Sequence, residues 1–216
     1  MQNKSIQRCT MSIKDKTLYV FGDSWSAGAG LHDVVKQGFT YLIAQKTNYL
    51  LDNLSQACTS LEQATWEFVK SLERKPIEGG DIVLLCITNP DRSWFWKDGY
   101  PAEIHPRNTN HPIGSKYYKY IYSEDLAHAN AIKDLLMVYG WCKTLDVTCL
   151  FVYNWTQPLQ SNSTMPGIKL LPTELFYNKS LYEISGANVP QGDHPDHQGH
   201  QRIADELSAW VKTHDN

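Results

Sequence analysis

The run Asp81–Ile87 (DIVLLCI) constrains this chain more than any other segment. From Ile82 onward every position is apolar, with no alternation of polar and apolar residues. A strand with one wet face alternates, so a strand apolar throughout must be covered on both faces. That is the situation of a central strand in a parallel sheet flanked by helices. Thr17–Phe21 (TLYVF) and Val147–Tyr153 (VTCLFVY) have the same character, and Tyr49–Leu54 reads as a further strand.

Helical patterns fall between these runs. Val34–Lys46 can form a helix, although Gly38 weakens it. Leu61–Glu73 is amphipathic, with Leu61, Ala64, Phe68, Val69 and Leu72 on one face. Ser123–Thr144 reads as a long helix whose Ser-Glu-Asp start suits a helix N-terminus. Gln198–Val211 closes the chain with Ile203, Ala204, Leu207 and Trp210 turned inward. Residues 88–122 show no clear period and are expected to form a long aromatic-rich loop or insertion. Regular alternation over 216 residues predicts one domain spanning 1–216. The expected architecture is a three-layer α/β/α sandwich on a parallel, flavodoxin-like sheet. In such folds ligands sit at the carboxyl ends of the strands.

Charge narrows the partners. The formal net charge is −3, which supplies no basic field for nucleic acid or an anionic membrane. No apolar run approaches the roughly 20 residues of a membrane span. The polar N-terminal stretch has no signal-like apolar segment. The five cysteines are scattered and form no C-x-x-C pair, which reads as free thiols in a reducing compartment. A cytoplasmic location is the expectation.

Two motifs carry the chemistry. Gly22-Asp23-Ser24-Trp25-Ser26 follows the first strand directly. A serine on a tight turn there aims its hydroxyl into the crevice and its own N–H at an oxyanion. His194-Pro195-Asp196-His197-Gln198-Gly199-His200 precedes the last helix. Serine needs a general base with a pKa near neutrality, and histidine is the usual one. Asp193, His194, Asp196, His197 and His200 also invite a metal reading. Their spacing matches no common zinc pattern, so no metal is expected, and His197 and His200 are expected to face solvent or cap a helix.

The two blocks, GDSWS and HPxxxGHxxIA, some 170 residues apart, resemble the first and last blocks of the SGNH (GDSL-like) hydrolase superfamily. The resemblance implies a serine esterase needing no cofactor, with Ser24 as nucleophile and His194 as base. It also implies an oxyanion hole of the Ser24 N–H, a backbone N–H after the second strand and an Asn side chain after the third. Cys58 stands where the family has that Gly, and Asn89 supplies the Asn, followed by Pro90 where the family has Asp. The usual triad Asp, three residues before the His, is replaced by Gln191. Asp193 is the adjacent candidate, and a Ser-His dyad is the alternative.

Trp25 is expected to shape the acyl pocket. Trp94 and Trp96, in the aromatic-rich segment, are candidate substrate-binding residues. Their density favours an ester on a carbohydrate, an O-acetyl group above all. Thr88–Trp96 (TNPDRSWFW) resembles SGNH-type proteins encoded by bacteriophages, which implies association with a virion as an alternative location. The rival readings are a degenerate member of the fold that binds a glycan or protein without hydrolysis, and a nucleotide or flavin binder using Gly28-Ala29-Gly30.

Overall fold

The computed structural model describes residues 15–97, 100–104, 112–154, 167–186 and 194–215, apart from the side chains of 96, 97 and 100–103. The central sheet contains β1 (Thr17–Phe21), β2 (Leu50–Asn53), β3 (Ile82–Ile87) and β6 (Thr148–Tyr153). Its order is β2-β1-β3-β6 and every pairing is parallel. A parallel bridge between Phe151 and Phe176 adds a further position outside β6. This is the expected flavodoxin-like order.

The doubly apolar strands are explained by two cores. On one face Tyr19, Phe21, Val83, Leu85 and Phe151 pack with Phe68 of α3 (Leu61–Arg74) and Leu135 of α5 (Glu124–Thr144). On the other, Leu18, Val20, Leu84, Cys86 and Val152 pack against two further helices. These are α2 (Phe39–Thr47), contributing Phe39 and Ile43, and the last helix (His197–Thr213), contributing Ile203 and Leu207. Each fully buried aliphatic or Phe side chain is worth about 1.5–3 kcal/mol, so register follows from burial. Asp81 secures the start of β3: its carboxylate accepts from the N–H groups of Thr17 (2.9 Å) and Glu78 (3.0 Å).

One expectation is corrected. The helix foreseen over Val34–Lys46 is split into α1 (Val34–Gln37) and α2 by Gly38, whose backbone is extended. A Cβ on Gly38 would stand 2.8 Å from the Val34 carbonyl oxygen. The aromatic segment, expected as a loop or insertion, has regular structure of its own. It holds an antiparallel hairpin of β4 (Ser93–Lys97) and β5 (Tyr100–Ile104), then α4 (Pro112–Tyr120). Asp98-Gly99 between two β-rich runs is the sequence signal for such a hairpin. Completing the chain order are α6 (Leu181–Ser185) and the last helix, α7. No helix among the described residues is long and apolar enough to cross a membrane.

Candidate active site

The carboxyl ends of β1, β2 and β3 bring three loops together. After β1 the chain turns sharply at Gly22, where a Cβ would stand 2.7 Å from the Cβ of Cys86. Only glycine lets β1 lie so close to β3 here. The turn that follows is held by its own backbone: Ala27 N–H donates to Asp23 O and Ala29 N–H to Ser24 O, each at 2.9 Å. Ser24 lies in this turn, 8% exposed. The buried Asp23 accepts from the Trp25 N–H through Oδ1 at 2.9 Å.

Trp25, expected at the acyl pocket, is buried beside the Ser24 turn. Its indole is 1% exposed and packed in the core with Val20, Phe39 and Ile43. It anchors the Ser24 turn from beneath, and its apolar bulk explains that placement.

The loop after β2 is laid against the same turn. Leu54 N–H donates to Val20 O (2.8 Å) and Gln56 N–H to Gly22 O (3.1 Å). The Asn53 amide donates to Ser26 O at 2.8 Å and to the Thr40 hydroxyl at 3.1 Å. Cys58 follows, exposed, with φ at +59°. This is the left-handed region that glycine adopts freely and other residues adopt at a cost. The loop geometry suited to Gly is therefore kept, with a thiol added. Ser60 then caps α3 by accepting from Gln63 N–H at 3.2 Å.

After β3, Asn89 opens a four-residue turn closed by the Arg92 N–H on the Asn89 carbonyl (3.2 Å). Pro90 occupies the second position, where its fixed φ suits a turn. The Arg92 guanidinium lies 3.6 Å from Asp23 Oδ2, and the Tyr118 hydroxyl reaches the carbonyls of Asp91 (2.7 Å) and Ile104 (2.9 Å). The sequence alone assigns no individual role to Asp23, Asn53, Arg92 or Tyr118. The available signal was the Asn-Pro-Asp-Arg turn itself, with an Arg beside a site that contains a buried Asp.

His194 comes to this cluster from the other end of the chain. A Cβ on Gly30, at the end of the Ser24 turn, would stand 3.4 Å from the His194 Cβ. Asp196 caps α7 by accepting from Gly199 N–H (2.8 Å). Gln191 and Asp193 lie outside the described residues.

His197 is exposed, as expected, but His200 is not. His200 is fully buried, stacked on Phe39 at 5.7 Å between ring centroids. Its Nδ1 accepts from the Phe39 N–H at 3.2 Å, so it caps α2 rather than its own helix. Burial, then the nearby His197, holds its pKa down at about 4. No group of three or more His, Cys, Asp or Glu able to hold a metal is found among the described residues.

Trp94 is half-buried on β4, and its indole bonds to the Glu62 carboxylate on α3. Burial first, and then the charge of Asp134, raises the pKa of Glu62, while Lys133 and the Trp94 bond oppose that rise. Trp94 thus pins the hairpin to the body. The backbone of Trp96 pairs with Pro101, and its side chain lies outside the described residues. Burial, and then the Asp23 charge, pushes the Cys86 thiol up, so this cysteine beside the turn stays protonated.

No family model matches the chain, and no match is found among curated proteins. Solved structures do match. The psychrotrophic esterase EstA from Pseudoalteromonas sp. superposes with a TM-score of 0.58 at 15% identity, over 92% of this chain and 98% of that one. A carbohydrate esterase family 2 enzyme from Corynascus thermopiles (Myceliophthora fergusii), with its carbohydrate-binding domain, gives 0.61 at 13% identity over 94% of this chain and 68% of that one. A member of the lipolytic protein G-D-S-L family from Veillonella parvula DSM 2008 gives 0.51 at 13% identity over 91% and 97%. The chain has the SGNH (GDSL-like) hydrolase fold. The neighbours that share it are esterases and lipolytic proteins, and the GDSWS and HPxxxGHxxIA blocks lie at the two ends of that shared fold.

Proposed function

We propose that this protein is a serine ester hydrolase acting by acyl transfer to water. Ser24 attacks the ester carbonyl. His194 takes the Ser24 proton and passes it to the leaving alcohol, then activates water for deacylation. The N–H groups of Ser24 and Cys58 and the Asn89 amide hold the oxyanion. Asp193 orients His194. The observation that carries this reading is the convergence of the Ser24 turn, the left-handed Cys58 loop and the Asn89 turn at the carboxyl end of the sheet, with His194 against Gly30.

The finer substrate assignment is an O-acetyl group on a carbohydrate. It is supported by the aromatic hairpin beside the Asn89 turn and by the carbohydrate esterase among the fold's neighbours. The test is hydrolysis of p-nitrophenyl acetate and labelling by a fluorophosphonate probe, with wild type and Ser24→Ala. Turnover and labelling in wild type, and neither in the variant, support the reading. A wild type that does neither overturns it in favour of a glycan-binding protein on the same fold.

A further inference from the structure

Between β3 and the hairpin, the chain makes two ties that no step of the proposed reaction uses. The first joins Arg92 to Asp23. Asp23 is 1% exposed and immediately precedes Ser24, and its Oδ1 holds the Trp25 N–H that shapes the Ser24 turn. Its Oδ2 lies in the core with the Arg92 guanidinium 3.6 Å away. A buried carboxylate is costly without a counter-charge, so the pair fixes where Arg92 can stand. Arg92 is also the last residue of the turn that Asn89 opens. The second tie is Tyr118 of α4, whose hydroxyl reaches the carbonyl of Asp91, inside that turn, and of Ile104, at the end of the hairpin.

We propose that Arg92 is a positioning residue that locks the Asn89 turn to the Ser24 turn, and that Tyr118 extends the lock to the aromatic insertion. Resting on the reading of Asn89 as oxyanion donor, this makes the insertion part of the catalytic geometry as well as a cover for substrate. Asn89 follows β3 by two residues and is half-buried, so the direction of its amide depends on how its turn is held. The Asp91 carbonyl and the Arg92 guanidinium are gripped from two directions, and the turn between β3 and Arg92 has little freedom left. An oxyanion donor is effective only when its direction is set in advance.

The test uses the full chain and the variants Arg92→Ala, Arg92→Lys, Tyr118→Phe and Asn89→Ala. Hydrogen exchange is read first, because it needs no activity. In Arg92→Ala the amides of both Trp25 and Arg92 are expected to exchange at least tenfold faster. Loss of protection at Arg92 alone overturns the lock. Kinetics on p-nitrophenyl acetate come second. Arg92→Ala is expected to lower kcat at least tenfold with KM within threefold, Arg92→Lys to retain more, and millimolar guanidinium to restore part of the loss. Combined with Asn89→Ala, it is expected to add little, because both remove the same contact. Full additivity, or a loss confined to KM, overturns the positioning role. If Arg92→Ala does not fold, Asp23→Asn with Arg92→Met removes both charges together and is read the same way. A wild type that neither labels nor hydrolyses sinks the ester-hydrolase reading instead, and the exchange data then decide the lock on their own.

Discussion

Gly30 and His194, at opposite ends of the chain, meet across the site: a Cβ on Gly30 would lie 3.4 Å from the His194 Cβ and 4.0 Å from its Cγ. Gly30 also has φ at +90°, which L side chains rarely adopt. Gly30→Ala therefore adds backbone strain of about 1–2 kcal/mol in a turn that touches the residue proposed as base. Displacing a catalytic group by an ångström can cost about a hundredfold in rate. The expected result is a kcat lowered ten- to a hundredfold with a melting temperature lowered by only a few degrees. Equal turnover in Gly30→Ala and wild type would show that strain at Gly30 does not reach His194.

Cys58 makes the opposite prediction. At φ +59° it bears the left-handed penalty of about 1–2 kcal/mol, and glycine would remove it at an entropic cost of roughly 0.5–1 kcal/mol. Cys58→Gly is expected to be slightly more stable and to keep its activity, since a backbone N–H needs no side chain. Cys58→Val is expected to lose both. Cys58 is exposed, whereas Cys86, Cys142 and Cys149 are buried. Iodoacetamide is thus expected to alkylate Cys58 ahead of these three and to slow hydrolysis in wild type but not in Cys58→Gly. Mass spectrometry of the alkylated protein alongside the rates checks this.

Asn89→Ala tests the oxyanion assignment directly. Removing one such donor is expected to lower kcat about a hundred- to thousandfold with KM little changed. Its turn is closed by the Asn89 carbonyl, not the amide, so the fold is expected to survive. Asn89→Asp is expected to be worse than Asn89→Ala, because a carboxylate repels the developing negative charge. Steady-state kinetics with far-ultraviolet circular dichroism separates these effects.

What the sequence discloses and what it hides follow one physical rule. Period and burial act locally, so Ile82–Ile87 announces a covered strand and Leu61–Arg74 an amphipathic helix within a residue or two of their bounds. Motifs that need one backbone shape are legible too, as with the turn at Gly22–Ser24. Contacts between distant segments are silent. Nothing around Trp25 marks it as core instead of pocket, and nothing in QGHQR marks His200 as the cap of a helix 161 positions away. The Asp23–Arg92 pair is hidden for the same reason, since it joins two turns 69 positions apart in the chain. Gly38 was legible as a weakness but not as a break, because only the folded chain shows the Val34 carbonyl against it.

His200 gives the chain a pH dependence with a definite sign. Its folded pKa is about 4, against an ordinary value of 6.5, because burial disfavours the imidazolium. Neutral His200 accepts the Phe39 N–H through Nδ1, and a protonated ring could not. Between pH 6.5 and 4 the unfolded chain binds this proton and the folded chain does not, so stability falls as pH falls through that window. Above pH 6.5 the contribution is fully present; below pH 4 both states are protonated and it is spent. A shift of this size corresponds to roughly 3 kcal/mol at most, since one pKa unit is about 1.4 kcal/mol. His200→Asn keeps an acceptor where Nδ1 stands and does not titrate. Urea unfolding of wild type and His200→Asn from pH 4 to 7.5 is expected to show a shallower slope in the variant, with the two curves converging in the acid. Parallel curves across the whole range would mean that folding leaves the pKa of His200 unchanged.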